Sequence, residues 1–165
     1  MNKAEILMLF DYSAWANRRI LDAAEGLSQE QFLAPAGLNY GSLRGTLVHI
    51  LSAETTWRRR CQEGISPSSP LVEDAFPTLA ALRERWSEAE QAMAAFLASL
   101  TDDDLQRTIH YRTTKGVQGQ NPLWQLLLHV VNHGTQHRAE AAITLTQHGC
   151  SPGDVDLIVF LRERP

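Results

Sequence analysis

The chain has 165 residues, of which 44% are hydrophobic and 21% charged, and its formal net charge at pH 7 is -4. This size and composition predict one globular domain spanning residues 1–165. The negative charge argues against a nucleic-acid-binding protein, and no stretch reaches the ~20 apolar residues of a membrane-spanning helix.

Two further features of the sequence indicate the cellular compartment of the protein. Asp11 and a basic segment at 17–19 interrupt the apolar residues near the start, so we expect no secretory signal. Cys61 and Cys150 lie far apart and lack the spacing of a metal motif. Free thiols are typical of a reducing compartment, and we therefore expect a cytoplasmic protein.

Helical periodicity predicts the first two long helices at residues 3–25 and 42–63. In both segments apolar residues recur three and four positions apart, and a glycine follows. Ser13 and Asn17 share the apolar face of the first helix. Buried polar groups need partners, so these two side chains are expected to have a structural or functional role.

The middle of the chain is predicted to be less regular. Residues 65–77 are rich in serine and proline and are expected to cross the end of the bundle as a loop. A third helix is predicted at 78–100, followed by a capped helix start at the aspartates 102–104. Residues 108–112 and 117–120 form either a small hairpin or an ordered loop.

The fourth long helix is predicted to begin with Asn121 as its N-cap and Pro122 at its first position, and to end near residue 148 before Gly149. Residues 155–162 are expected to form a short terminal helix. The fold class predicted from these elements is all-α, a four-helix bundle with a crossover loop and a short C-terminal helix.

The fourth helix carries three histidines at intervals of four residues, His129, His133 and His137. Each step advances roughly 40° beyond a full turn and about 6 Å along the axis, so all three share one face. Two rings four residues apart can chelate one ion, whereas the outer two are about 12 Å apart. Two chelating pairs are therefore possible, His129 with His133 or His133 with His137.

A third ligand must come from another helix, and His49 on the second helix is the best candidate. It lies nearly opposite the apolar stripe, beside small residues. Two interpretations are open at this point: a histidine that faces solvent, or one that faces a cavity lined by those small residues.

The histidine motif differs from two well-known metal sites. Gly134 stands where the HExxH motif of zinc proteases has its general base. Di-iron bundles need Glu-x-x-His pairs, whereas here the order is reversed, with His137 before Glu140.

Three segments resemble the DinB/YfiT-like family of metal-binding four-helix bundles. DYSAWANRRIL at 11–21 resembles its first-helix Trp-Ala-Asn pattern, and LRGTLVHILSAETTW at 43–57 resembles the helix with its single ligand histidine. HVVNHGTQHRAE at 129–140 resembles the signature Asn-His-x-x-x-His-Arg. The likeness covers nearly the whole chain.

The resemblance implies metal ligands at His49, His133 and His137, with His129 beside them in the pocket. The family usually continues His-Arg-Gly-Gln, whereas Glu140 stands here in place of the glutamine. Its carboxylate could orient a ligand, bind the metal or act as a base. From the family, zinc and nickel are the expected metals, although imidazole also suits copper and iron.

The resemblance also suggests a reaction, because the family includes thiol-dependent S-transferases and a thiol-dependent isomerase. Three histidines leave an open coordination position, as in catalytic sites. We therefore expect a metal-dependent enzyme that joins a thiol cosubstrate to an electrophilic small molecule. The predicted pocket residues are Asn17, Glu54, His129 and Glu140.

Other functions remain open at this point. A metal-dependent hydrolase would use water instead of the thiol, and a metal-binding or stress-response module would catalyse nothing. An interaction protein would bind no metal at all. Homodimers are common among similar proteins, and a homodimer that binds neither nucleic acid nor membrane is expected here.

Overall fold

The structure, a computed structural model, describes residues 1–37 and 39–163. Its four long helices are α1 (Lys3–Ala24), α3 (Leu43–Glu63), α4 (Leu79–Ser99) and α6 (Leu123–Gln147). The shorter elements are α2 (Gln29–Leu33), a 3₁₀ turn (Glu73–Ala75), α5 (Asp102–Leu105), β1 (Thr108–Arg112), β2 (Gln118–Pro122) and α7 (Leu157–Glu163). The predicted all-α fold class is confirmed.

The long helices form a bundle in which α1 and α3 each pack against both α4 and α6. Apolar residues from all four helices meet in its centre. The buried core includes Ile20, Leu47, Leu51, Trp86 and Leu145. Full burial of each such side chain contributes about 1.5–3 kcal/mol, so the predicted apolar stripes are what hold the helices together.

Three of the long helices start at side-chain caps, close to the predicted positions. Asn2, Ser42 and Thr78 each accept a hydrogen bond from the backbone N–H three residues later, at the starts of α1, α3 and α4. The helix α5 begins similarly, with a capping box between Thr101 and Asp104. The predicted capping role of the aspartates is therefore confirmed.

The predicted start of the fourth helix is wrong. Asn121 and Pro122 are the last residues of β2, which pairs antiparallel with β1, and α6 begins at Leu123 with no side-chain cap. The amide of Asn121 instead accepts from the hydroxyl of Tyr111 and donates to Gln125. Pairing with the preceding strand thus outweighs the capping signal, and the hairpin is the correct alternative for this region.

The linker after α3 is fastened to the bundle by polar contacts. Arg44 on α3 pairs with Glu73 at 2.8 Å and with Asp74 at 3.1 Å. The hydroxyl of Ser52 accepts a hydrogen bond from the backbone N–H of Leu71. These contacts explain the short 3₁₀ turn, which the serine- and proline-rich composition did not predict.

Two expectations drawn from composition can be compared with the described residues. None of the described helices has both the length and the apolar character needed to cross a bilayer. Both cysteines are free thiols, and burial raises the pKa of Cys61 to about 12. A thiol with so high a pKa is unreactive at neutral pH, which fits a packing role for Cys61.

A buried arginine explains the polar residues on the inner face of α1. Arg138 on α6 is 1% exposed and donates hydrogen bonds to Ser13 and Asn17, each at 2.9 Å. A third bond reaches Thr135 at 3.0 Å. A Cβ on Gly134 would lie 2.8 Å from this guanidinium, so the glycine leaves room for it.

The Arg138 network predicts a stability difference between two arginine variants. We expect Arg138→Met to lower the free energy of unfolding by about 1–3 kcal/mol, because Ser13 and Asn17 lose their buried donor. Arg85→Met is the matched control, since Arg85 pairs with Glu88 near the surface and its loss should change stability by less than about 0.5 kcal/mol. Urea unfolding followed by circular dichroism measures both, and equal effects would contradict the role of the network.

Candidate metal centre

The contact between α3 and α6 brings three histidines together. His49 projects from α3, and His133 and His137 project from α6, one helical turn apart. Each offers one ring nitrogen, and these three atoms lie within 4.8 Å of one another. The three histidines thus lie close enough to hold a metal ion.

The three rings are mutually packed. Their centroids are separated by 4.8 Å for His49 and His133, 4.6 Å for His49 and His137, and 4.5 Å for His133 and His137. The Nε2 atoms of His49 and His133 are 3.0 Å apart. His49 is half-buried, and its ring faces those of His133 and His137 rather than bulk solvent.

The environment keeps two of these rings neutral. Burial, together with the neighbouring His137, lowers the pKa of His49 and that of His133 to about 4 in each case. At pH 7 each ring therefore keeps an unprotonated nitrogen. Only this neutral form can donate a lone pair to a metal.

Glu140 fixes the orientation of the third ring. Its carboxylate lies 2.8 Å from Nδ1 of His137, one turn further along α6. A carboxylate only accepts hydrogen bonds, so Nδ1 of His137 must carry the proton. In a neutral ring this leaves Nε2 free, and carboxylate–histidine pairs of this kind commonly support metal ligands.

Tyr40 is a residue of this site that the sequence did not reveal. Its ring stacks on His49 with centroids 3.7 Å apart and meets His137 edge-on at 5.3 Å. A Cβ on Gly45 would overlap the carbonyl oxygen of Tyr40, so the glycine allows this segment to lie directly against α3. The contact depends on that close approach, for which no sequence pattern gives a signal.

His129 lies beside the three histidines but is not part of the group. Its ring centroid is 5.7 Å from that of His133 and 5.2 Å from that of Trp57, which it meets edge-on. Burial lowers its pKa, and Arg60 lowers it further. The guanidinium of Arg60 lies 4.5 Å above the Trp57 ring, so His129 belongs to an aromatic and cationic wall next to the site.

The two other predicted pocket residues lie together in a separate cavity. Asn17 donates a hydrogen bond to Glu54 at 3.3 Å, and both line a cavity of about 330 Å³ between α1, α3 and α4. Burial raises the pKa of Glu54 to about 7, although Arg138 and Asn17 both act in the opposite direction. None of the three histidines lines this cavity.

Comparison with known proteins identifies the family of this chain. The sequence model of the DinB family matches residues 1–164. Protein DinB of Bacillus subtilis (strain 168) is 27% identical over an alignment of 165 residues, which covers 93% of this chain and 92% of that protein. Since the family match spans all four long helices and the three histidines, the chain belongs to the DinB family.

Proposed function

We propose that this protein binds one divalent metal ion, zinc or nickel, through His49, His133 and His137. The observation that carries the proposal is the convergence of three ring nitrogens within 4.8 Å. Imidazole nitrogen is a common ligand of both metals. The lowered pKa of His49 and that of His133 support the same conclusion, because both rings are ready to coordinate at pH 7.

The spacing of the rings fits such an ion. Nitrogen ligands at about 2.0–2.1 Å from a tetrahedral zinc lie about 3.3 Å from each other. The Nε2 atoms of His49 and His133 are 3.0 Å apart, so small rotations of the side chains would give this spacing. Glu140 would hold His137 in the tautomer that offers Nε2.

We further propose that the metal site is catalytic and joins a thiol to an electrophilic small molecule. Three protein ligands leave one coordination position open, as in catalytic zinc sites, and an ion bound here would lower the pKa of a coordinated thiol. In the reaction the sulfur forms a bond to the electrophilic carbon, the leaving group departs with the bonding electron pair, and the thiol proton passes to solvent. Tyr40 and His129, which lie against the three rings, would contact the substrates.

Metal content provides the first test. We expect His49→Ala, His133→Ala and His137→Ala each to lose most of the bound metal, because two remaining imidazoles hold a divalent ion far more weakly than three. Elemental analysis after purification without chelators measures this. His129→Ala is the control and should keep its metal, since His129 lies outside the group of three. Full retention of metal by all three ligand variants would refute the assignment.

The role of Glu140 gives a second prediction. We expect Glu140→Ala to weaken metal binding by about 10- to 100-fold, because His137 loses the acceptor that fixes its tautomer and ring orientation. Glu140→Gln retains an acceptor oxygen and should bind the metal nearly as well as the wild type. Competition with a chromophoric chelator measures both affinities, and equal losses in the two variants would show that Glu140 acts otherwise, as a ligand or by its charge.

The proposed reaction predicts a metal-dependent rate with a thiol. With cysteamine and 1-chloro-2,4-dinitrobenzene, we expect the wild type to accelerate thioether formation, measured by absorbance, and His133→Ala to lose the acceleration. Cysteamine should also change the visible spectrum of the cobalt-substituted protein. An unchanged spectrum together with an unaccelerated rate would favour a metal-binding module without turnover, and acceleration of hydrolysis alone would favour a hydrolase.

A further inference from the structure

The cavity between α1, α3 and α4 has features of a ligand site in its own right. Its volume of about 330 Å³ lies within the range of small-molecule sites. One part of its wall is apolar, formed by Leu7, Phe10, Met93 and Leu97. The remaining wall includes the polar side chains of Asn17, Glu54 and Glu90.

Glu90 lines this cavity and carries a buried acceptor that has no partner within the described part of the chain. Its Oε1 atom is buried and has no hydrogen-bond partner among the residues that the structure describes. A buried polar atom without a partner costs about 1–3 kcal/mol, and more when it is charged. A cavity ligand that donates a hydrogen bond to Oε1, after a small rotation of the Glu90 side chain, would remove this penalty.

Glu54 brings a second acidic group to the same cavity. Its side chain is partly buried, and the negative charge of Glu90 contributes to the raised pKa of Glu54. Burial raises the pKa of Glu90 as well, although the positive charge of Arg18 acts in the opposite direction. Arg138 attracts Glu54 electrostatically but donates its hydrogen bonds to Ser13, Asn17 and Thr135. The cavity therefore favours a ligand that carries positive charge.

The lining indicates an organic cation rather than a metal ion. Within residues 1–37 and 39–163, the group that converges closely enough to hold a metal is the three histidines, and the cavity carboxyls do not form such a group. A bare metal ion would also leave the wall of leucine, phenylalanine and methionine without a partner. A hydrocarbon chain that ends in a protonated amine matches both halves of the cavity.

We propose that this cavity binds a small alkylamine, whose ammonium group is held between Glu54 and Glu90 and whose hydrocarbon part packs against the apolar wall. The ammonium group supplies the hydrogen-bond donor that Oε1 of Glu90 lacks and the charge that the two acids favour. The site is distinct from the three histidines, and the proposal does not depend on what they bind.

Methionine NMR can locate the ligand directly. The chain has three methionines, Met1, Met8 and Met93, of which Met93 lines the cavity. With the methyl groups labelled with ¹³C, we expect titration with hexylamine at pH 7.5 to shift the Met93 signal and to leave that of Met1 unchanged. The variant His133→Ala should bind hexylamine as the wild type does if the amine lies in the cavity. An amine bound at the metal site would instead require His133.

Calorimetry tests the charge requirement. We expect hexylamine to bind at least about tenfold more tightly than 1-hexanol, and Glu54→Gln and Glu90→Gln each to weaken hexylamine binding by about tenfold or more. Glu84→Gln changes an exposed residue on the same helix as Glu90. It is the matched control and should bind hexylamine as the wild type does. Circular dichroism verifies that each variant is folded.

Any of three results would overturn the proposal. The first is equal affinity for hexylamine and 1-hexanol, or no binding of either, since the cavity would then have no preference for a cation. The second is binding that shifts Met1 or Met8 but not Met93, since the amine would then lie elsewhere. Unchanged hexylamine affinity in both glutamine variants would be equally decisive against the two acids.

Discussion

The packing of α3 against α6 is the constraint on which the rest of the site depends. Histidines from the two helices reach one point only because apolar side chains hold the helices at a fixed distance and rotation. The core and the candidate metal centre are therefore built by the same contact. On α6 the inner face must supply both apolar contacts and imidazoles, and it does so by placing His133 and His137 one turn apart among buried residues.

Polar groups inside this bundle fall into two systems with different partners. One comprises the histidines with Glu140 and Tyr40, at the contact between α3 and α6. The other is organised by the buried guanidinium of Arg138, whose hydrogen bonds reach α1 and, through Asn17, the carboxyl of Glu54. Because His137 and Arg138 are adjacent in sequence, their side chains point to different sides of α6. A single turn of helix thus supports the candidate metal centre on one side and the wall of the cavity region on the other.

Glycine positions show how closely the backbone and side chains are fitted around the site. Gly45 lets the segment of Tyr40 lie directly against α3, and Gly134 provides the space taken by the guanidinium of Arg138. The absence of a general base at position 134, which separates this motif from zinc proteases, thus has a structural reason as well as a chemical consequence. Substitution of Gly45 would disturb the contact between the Tyr40 segment and α3, and substitution of Gly134 would disturb the Arg138 network.

Local patterns in the sequence determined the four long helices, the capped helix start at the aspartates 102–104 and the shared face of His133 and His137, because helical periodicity and capping act within a few residues. The resemblance to the DinB family added His49, whose position opposite the apolar stripe was ambiguous by itself. Only the tertiary structure decided that Asn121 belongs to a strand, that Tyr40 stacks on His49, and that Asn17 and Glu54 line a separate cavity. These outcomes depend on contacts between different elements of the structure, and such contacts leave no periodic signal in the sequence.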